Sequence, residues 1–184
     1  MSGAPVAPHG ETAGAGLPRV FVGEGRRRLD AVIAKYPAKA GALLPALWMV
    51  QEAHGWISPA GMAEVAEVLE LTPAYVRGVV TFYTMYHRHP TGKHVLMMCT
   101  NVSCMIRGGY DVMHALEKKL GIKAGENSAD GEFTLVEEEC LAACADAPMA
   151  ICGRKYYLRL DGKQVDAMLD ELRRGAASGD GSHE

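Results

Sequence analysis

The hydrophobic period of this chain changes near Tyr86, and that change restricts the fold more than any other feature. Before it, apolar residues recur at helical spacing; after it, short runs of strand length take over. In GRRRLDAVIAKYP the apolar residues are Leu29, Val32 and Ile33, and Pro37 marks the end. LLPALWMVQEAHG predicts a second helix, with Pro45 tolerable only in its first turn and Gly55 near its C-cap. A third opens on Ser58 as N-cap with Pro59 at the first helical position, then sets Met62, Val65, Ala66 and Leu69 on one face. Thr72-Pro73 repeats that opening ahead of Val76, Val79, Val80 and Tyr83. Four amphipathic helices joined this tightly predict a small helical bundle, and nothing in it points to chemistry.

HRHPTGKH is a polar linker carrying the turn-formers Pro90 and Gly92. Beyond it, residues 95–98 predict a strand and residues 106–120 a helix, with Tyr110, Met113 and Leu120 on one face and Gly121 at its end. FTLVEEE alternates as a strand does, as far as Val136. MAICG and RKYYLRL read as a hairpin turning near Gly153-Arg154. A last helix over about 162–173 sets Val165, Met168, Leu169 and Leu172 on one face. Strand, helix, strand, strand, strand, helix describes a sheet with helices packed on it, so this half is α/β or α+β.

A chain of 184 residues suffices for one domain or two small ones, and 48% apolar residues can build a core without disulfide staples. Nineteen basic against 22 acidic residues leave a net charge of −3, which is no footprint for nucleic acid or an anionic membrane. The Gly-rich start lacks the basic and apolar regions of a signal peptide and precedes no strand–helix unit that would bind a nucleotide. No apolar run is long enough to span a membrane. The expected organisation is a tail over 1–18, a helical domain over 19–88, a mixed domain over 89–174 and a tail over 175–184, both tails disordered and the chain cytosolic.

All five cysteines fall in the second half. Cys99 and Cys104 form C-x4-C, Cys140 and Cys144 form C-x3-C, and each pair follows a predicted strand, where loops gather at a sheet end. Disulfides need an oxidising compartment, to which nothing in the sequence directs the chain. A dithiol redox motif wants C-x-x-C at a helix start, which neither pair has. Structural zinc normally uses tighter knuckles, though wider spacings occur. Iron–sulfur ligation needs four thiolates, two per iron in a [2Fe–2S] cluster, on loops carried by a firm scaffold, and it fits best. CTNVSC and CLAAC are short and mostly small, so backbone N–H groups can approach cluster sulfurs. Glu137, Glu138 and Glu139 precede Cys140; they are either negative charge beside the site, opposing reduction, or a solvated strand end.

Cys152, inside the apolar run MAIC, is expected to pack as a small hydrophobe and not to ligate. His87 and His89 lack a companion ligand and read as a solvated linker. Trp48, Trp56, Phe82 and Tyr83 read as core or interface aromatics.

Several segments together resemble a known family. They are LLPALWMVQEAHGWIS, AEVAEVLELTPAYVRGVVTFYTMY, the Pro-x-Gly-Lys of PTGKH, then C-x4-C, RGGYDVM, DGEFTL and EECLAACADAPM. The family is the small thioredoxin-like [2Fe–2S] subunit of NADH dehydrogenases, the E subunit of bacterial complex I. The resemblance implies an α+β chain, a helical bundle followed by a thioredoxin-like ferredoxin domain. It implies that Cys99, Cys104, Cys140 and Cys144 carry one [2Fe–2S] cluster. The cluster would exchange single electrons with the FMN of a partner NADH-binding flavoprotein, within an NADH:quinone oxidoreductase that also holds a larger iron–sulfur subunit. The chain would then lie on the cytoplasmic face of the inner membrane through that complex, without inserting. Related modules serve NAD-linked hydrogenases and formate dehydrogenases, so that assembly stays open, as do a zinc-stabilised interaction module and a free-standing ferredoxin. Two positions depart from the family pattern: Ala142 stands where glycine is usual, and Glu138 where an apolar residue is usual.

Overall fold

The computed structural model describes residues 16–174; the tail expectations over 1–15 and 175–184 lie outside the described residues. The chain divides into two compact units, one ending at Pro90 and one beginning at Thr91.

The first unit holds α1 (Gly23–Ile33), a 3-10 turn over Lys39–Ala42, α2 (Leu43–His54), α3 (Pro59–Leu69) and α4 (Pro73–Phe82). The helix starts at Ser58 and Thr72 form as their sequences require. The Ser58 hydroxyl accepts from the Gly61 N–H at 3.0 Å and the Thr72 hydroxyl from the Tyr75 N–H at 3.3 Å, each ahead of a proline at the first helical position. Gly55 ends α2 in the left-handed conformation, with φ 76°. The apolar stripes meet in one core that includes Leu29, Leu47, Val50, Ile57, Val65, Leu69, Val76 and Val80, each such side chain contributing roughly 1.5–3 kcal/mol. Trp56 is buried, whereas Trp48, Phe82 and Tyr83 lie at the surface, Phe82 at 76% exposure. The sequence does not announce the role of Glu64. Its buried carboxylate accepts from the Val20 and Phe21 N–H groups at 3.0 and 2.9 Å, satisfying backbone that precedes α1. His87 corrects the reading of a solvated linker: it is half-buried, its N–H donates to Gln51 Oε1 at 2.7 Å and its carbonyl accepts from the Ile57 N–H at 2.8 Å.

The second unit runs β1 (His94–Cys99), α5 (Val102–Ile106), α6 (Gly109–Leu120), β2 (Phe133–Glu138), β3 (Ala150–Cys152), β4 (Lys155–Tyr157) and α7 (Gln164–Arg173). The sheet order is β2-β1-β3-β4. β1 pairs parallel with β2, from His94 opposite Phe133 to Cys99 opposite Glu138, and antiparallel with β3, which pairs antiparallel with β4. Leu96, Met98, Phe133 and Leu135 from the sheet meet Val112, Met113 and Leu116 of α6 and Val165, Met168, Leu169 and Leu172 of α7 in a second core. The helix expected over 106–120 starts later, at Gly109, and a separate short helix that the spacing did not predict, α5, precedes it across Arg107 and Gly108. Of the expected face, Met113 is buried and Leu120 packs against the core, but Tyr110 is exposed, and Val112 and Leu116 take buried positions instead.

Candidate metal centre

Parallel pairing of β1 and β2 brings their C-terminal ends to the same edge of the sheet, and both cysteine pairs start there. Cys99 is the last residue of β1 and is 3% exposed. Its N–H donates to the Met149 carbonyl at 3.1 Å, and the next residue, Thr100, donates its N–H to the Glu138 carbonyl at 3.1 Å. The Asn101 side chain then caps α5 by accepting from the Val102 N–H at 2.6 Å, and α5 carries Cys104, 1% exposed. A short helix, not an open loop, therefore presents the second thiol. The RGG sequence that follows has a steric purpose. Gly108 takes φ 89°, and a Cβ on Gly109 would stand 2.8 Å from the Cys104 carbonyl oxygen, so only glycine lets α6 start so close behind α5.

The second pair is held differently. Cys140 follows β2, Cys144 opens a 3-10 turn over Cys144–Asp146, and both are exposed. Between them Ala142 has φ 64°, the left-handed conformation that disfavours an L side chain, and its N–H points at Cys140 Sγ from 3.5 Å. Asp146 is pinned from β4's side, where the Arg159 N–H reaches the Asp146 carbonyl at 2.8 Å and Arg159 Nε its carboxylate at 2.9 Å.

The thiols interact across the two pairs. Burial pushes Cys104 up to about 11, the hydrogen bond with Cys99 adds to this, and so do the charges of Cys99 and Cys144 when ionised; the Met149 backbone opposes it. A thiolate at Cys104 is thus costly by itself and is favoured by a cation, the behaviour expected of a ligand in a shared, partly enclosed site. Cys152 is also raised to about 11, but by burial alone, inside the sheet core opposite Leu96. The two thiols share an acidity but not their surroundings. Among the described residues no group of three or more His, Cys, Asp or Glu side chains is gathered to hold one metal ion. A two-iron cluster asks for less at each metal, namely two thiolates per iron. The residues present fit that group: one buried pair, one exposed pair, and N–H donors near the sulfurs.

Met149 and Arg107 escaped the sequence reading. Met149 is 1% exposed and packs with Cys99, Cys104 and Ala147; Arg107 Nε donates to the Ala147 carbonyl at 2.9 Å. Met149 was legible only as the start of a strand and Arg107 only as part of the resemblance, neither as a neighbour of the cysteines. The acidic run lies at the end of β2: Glu138 is opposite Cys99 and half-buried, Glu139 is exposed with its carbonyl 3.7 Å from Cys99 Sγ, and Glu137 accepts from the Thr100 hydroxyl at 2.8 Å.

Comparison with known proteins agrees with this geometry. Residues 29–173 match the family model of the thioredoxin-like [2Fe-2S] ferredoxin. The chain is 40% identical to the second NADH-quinone oxidoreductase E subunit of Rhizobium meliloti, over 80% of this chain and 88% of that one. It is 35% identical to a mitochondrial NADH dehydrogenase [ubiquinone] flavoprotein 2 of Dictyostelium discoideum, over 83% of this chain but 63% of that one. Among solved structures, an NAD+-reducing [NiFe]-hydrogenase in the air-oxidized state superposes with a TM-score of 0.64 at 20% identity. That likeness covers 77% of this chain and 24% of the hydrogenase chain, and it speaks for the fold alone. A match over most of the chain, with one relative of nearly the same extent, makes this protein a member of the thioredoxin-like [2Fe-2S] ferredoxin family, in the branch of the NADH-quinone oxidoreductase E subunits.

Proposed function

We propose that this chain is an electron-transfer subunit of an NADH:quinone oxidoreductase and that Cys99, Cys104, Cys140 and Cys144 hold its [2Fe–2S] cluster. When bound, the cluster supplies one-electron transfer, exchanging single electrons with the FMN of a partner NADH-binding flavoprotein. The observation that carries this reading is the convergence of the two cysteine pairs at one sheet edge through the parallel β1–β2 ladder. The chain's own residues would do three things there. Cys99 and Cys104 bury two sulfurs away from water, which lowers the local dielectric around the site. The N–H of Ala142 donates to Cys140 Sγ, a contact that favours extra electron density on that sulfur. The sheet ladder holds Cys99 in place with no redox-dependent movement needed.

The helices up to Pro90 then act as a bundle domain, 19–88, and residues 89–174 as a thioredoxin-like domain. A larger iron–sulfur subunit is the second partner in this proposal. The chain would lie peripherally on the cytoplasmic face of the inner membrane through the complex; among the described residues no helix is long and apolar enough to cross a membrane.

Purification without oxygen, with iron and sulfide assays and EPR of the NADH-reduced and dithionite-reduced complex, tests the proposal. The expected result is about two irons and two sulfides per chain and a [2Fe–2S] signal lost when the four cysteines are replaced. One zinc and no colour would overturn it. Co-purification with quinone-reductase subunits, rather than with a hydrogenase or formate dehydrogenase, tests the assembly.

A further inference from the structure

We propose that Arg107 is a positioning residue for the metal centre: it braces the second cysteine segment against the first, and its charge eases the arrival of an electron there. The inference rests on the four cysteines being the cluster ligands. Arg107 closes α5, and its own N–H returns to the Cys104 carbonyl at 3.2 Å. Its side chain leaves that segment, and Nε donates to the Ala147 carbonyl at 2.9 Å. Ala147 is 1% exposed and packs with Cys99, Cys104 and Met149, shortly after Cys144 in the chain. One residue therefore ties the helix that bears Cys104 to the segment that bears Cys144.

That segment needs a tie. Between the end of β2 at Glu138 and the start of β3 at Ala150 its backbone is tied to β1 only late, at Met149, and its two cysteines, which come before that point, are exposed. Arg159 also holds it, through Asp146, but as an ion pair whose charges cancel. Arg107 instead donates to a neutral carbonyl and forms no ion pair among the described residues, so its positive charge is not cancelled where it meets Ala147, a residue packed against Cys99 and Cys104. Reduction adds one electron and no proton to the centre, so a fixed cation there stabilises the reduced form more than the oxidised one.

The test uses the full chain, reconstituted anaerobically with iron and sulfide, in wild-type, Arg107→Ala, Arg107→Gln and Arg107→Lys forms. Two quantities are read: the rate of iron loss to a chelator, and the midpoint potential by EPR-monitored redox titration. Arg107→Ala and Arg107→Gln should lose iron about tenfold faster, the scale of one hydrogen bond from a charged donor, and should titrate at lower potential than wild type. Arg107→Lys keeps the charge without the planar, aimed Nε–H, so it should restore the potential and still lose iron faster. A merely structural arginine would loosen iron binding without moving the potential. Wild-type behaviour of the alanine variant, or of the glutamine variant should alanine fail to fold, overturns the inference. So does a lysine variant whose potential is as low as alanine's. Failure of the wild-type chain to take up iron and sulfide would instead overturn the ligand assignment itself.

Discussion

The two halves of the proposed metal centre are built in opposite ways. Cys99 and Cys104 belong to regular elements, the end of a strand with neighbours on both sides and a capped helix, and both are buried. Cys140 and Cys144 sit in an irregular stretch with a left-handed alanine between them, and both are exposed. The lesson is that one half of such a site can be supplied by the fold outright, while the other is held by individual ties. A ligand in a packed sheet cannot adapt to a changed partner; one on an exposed segment can.

The sharpest way to break this contrast is to replace one ligand on each side. Cys104→Ser should abolish cluster assembly, seen as loss of iron and visible absorption, because the buried site cannot shift a shorter oxygen ligand into place. Cys144→Ser should still give a coloured protein with altered EPR, since its segment can move toward the iron. Equal loss in both variants would erase the distinction. Cys152→Ala should keep full cluster content.

Stability offers the next comparison. Leu135→Ala, in β2 ahead of the ligands, removes a side chain with no exposed surface and should cost about 2–5 kcal/mol in denaturant unfolding of the second unit. Leu141→Ala, half-buried between the exposed cysteines, should cost well under half as much. Comparable losses would mean that the exposed segment is part of the folding core after all.

Ala142→Gly acts on the exposed side alone. With φ 64° at this position, glycine removes backbone strain, partly offset by its greater freedom in the unfolded chain. The net gain should be at most about 1 kcal/mol. A thermal midpoint that falls would show that alanine is not strained there.

The smallest effect lies at the far end of β1. His94 is buried, lies against the Phe133 ring at a tilt of 37° and has an Nε2 without a hydrogen-bond partner among the described residues. Burial, with Lys93 assisting and Glu132 opposing, lowers its pKa below the ordinary 6.5. The folded state then binds fewer protons than the unfolded state as pH falls below 6.5, so this contribution to stability is intact above 6.5 and declines on acidification. His87 is shifted the same way by burial and adds to the slope in the first unit. His94→Phe should flatten the pH dependence of the second unit between about pH 7 and the lowered pKa of the imidazole. An unchanged slope would mean that the imidazole is reached by water.

Much of this was readable from residues. Ser58-Pro59 and Thr72-Pro73 mark helix starts because hydroxyl capping and a missing N–H are local physics, independent of the rest of the chain. The stripe Val165, Met168, Leu169 and Leu172 is buried as its spacing requires. The helix expected over 106–120 illustrates the limit. Its pattern runs on from Ile106, yet the helix begins only at Gly109, after a short separate helix and Gly108 at φ 89°, and at Gly109 a Cβ would meet the Cys104 carbonyl oxygen, a close approach that no period reveals. Phe82 and Trp48 illustrate another limit, since large aromatics signal burial somewhere but not against which surface.

By itself, the sequence determined which residues are proposed as ligands: four paired cysteines, with a fifth set apart in an apolar run, because residue type and spacing are covalent facts. It also settled the helix starts at Ser58-Pro59 and Thr72-Pro73, because caps and prolines act within one turn. Only the tertiary structure decided that β1 and β2 run parallel and side by side, that one cysteine pair is buried and the other exposed, and that Arg107 reaches across to Ala147. Those outcomes depend on contacts between residues far apart in the chain, where packing and desolvation, not local propensity, choose the arrangement.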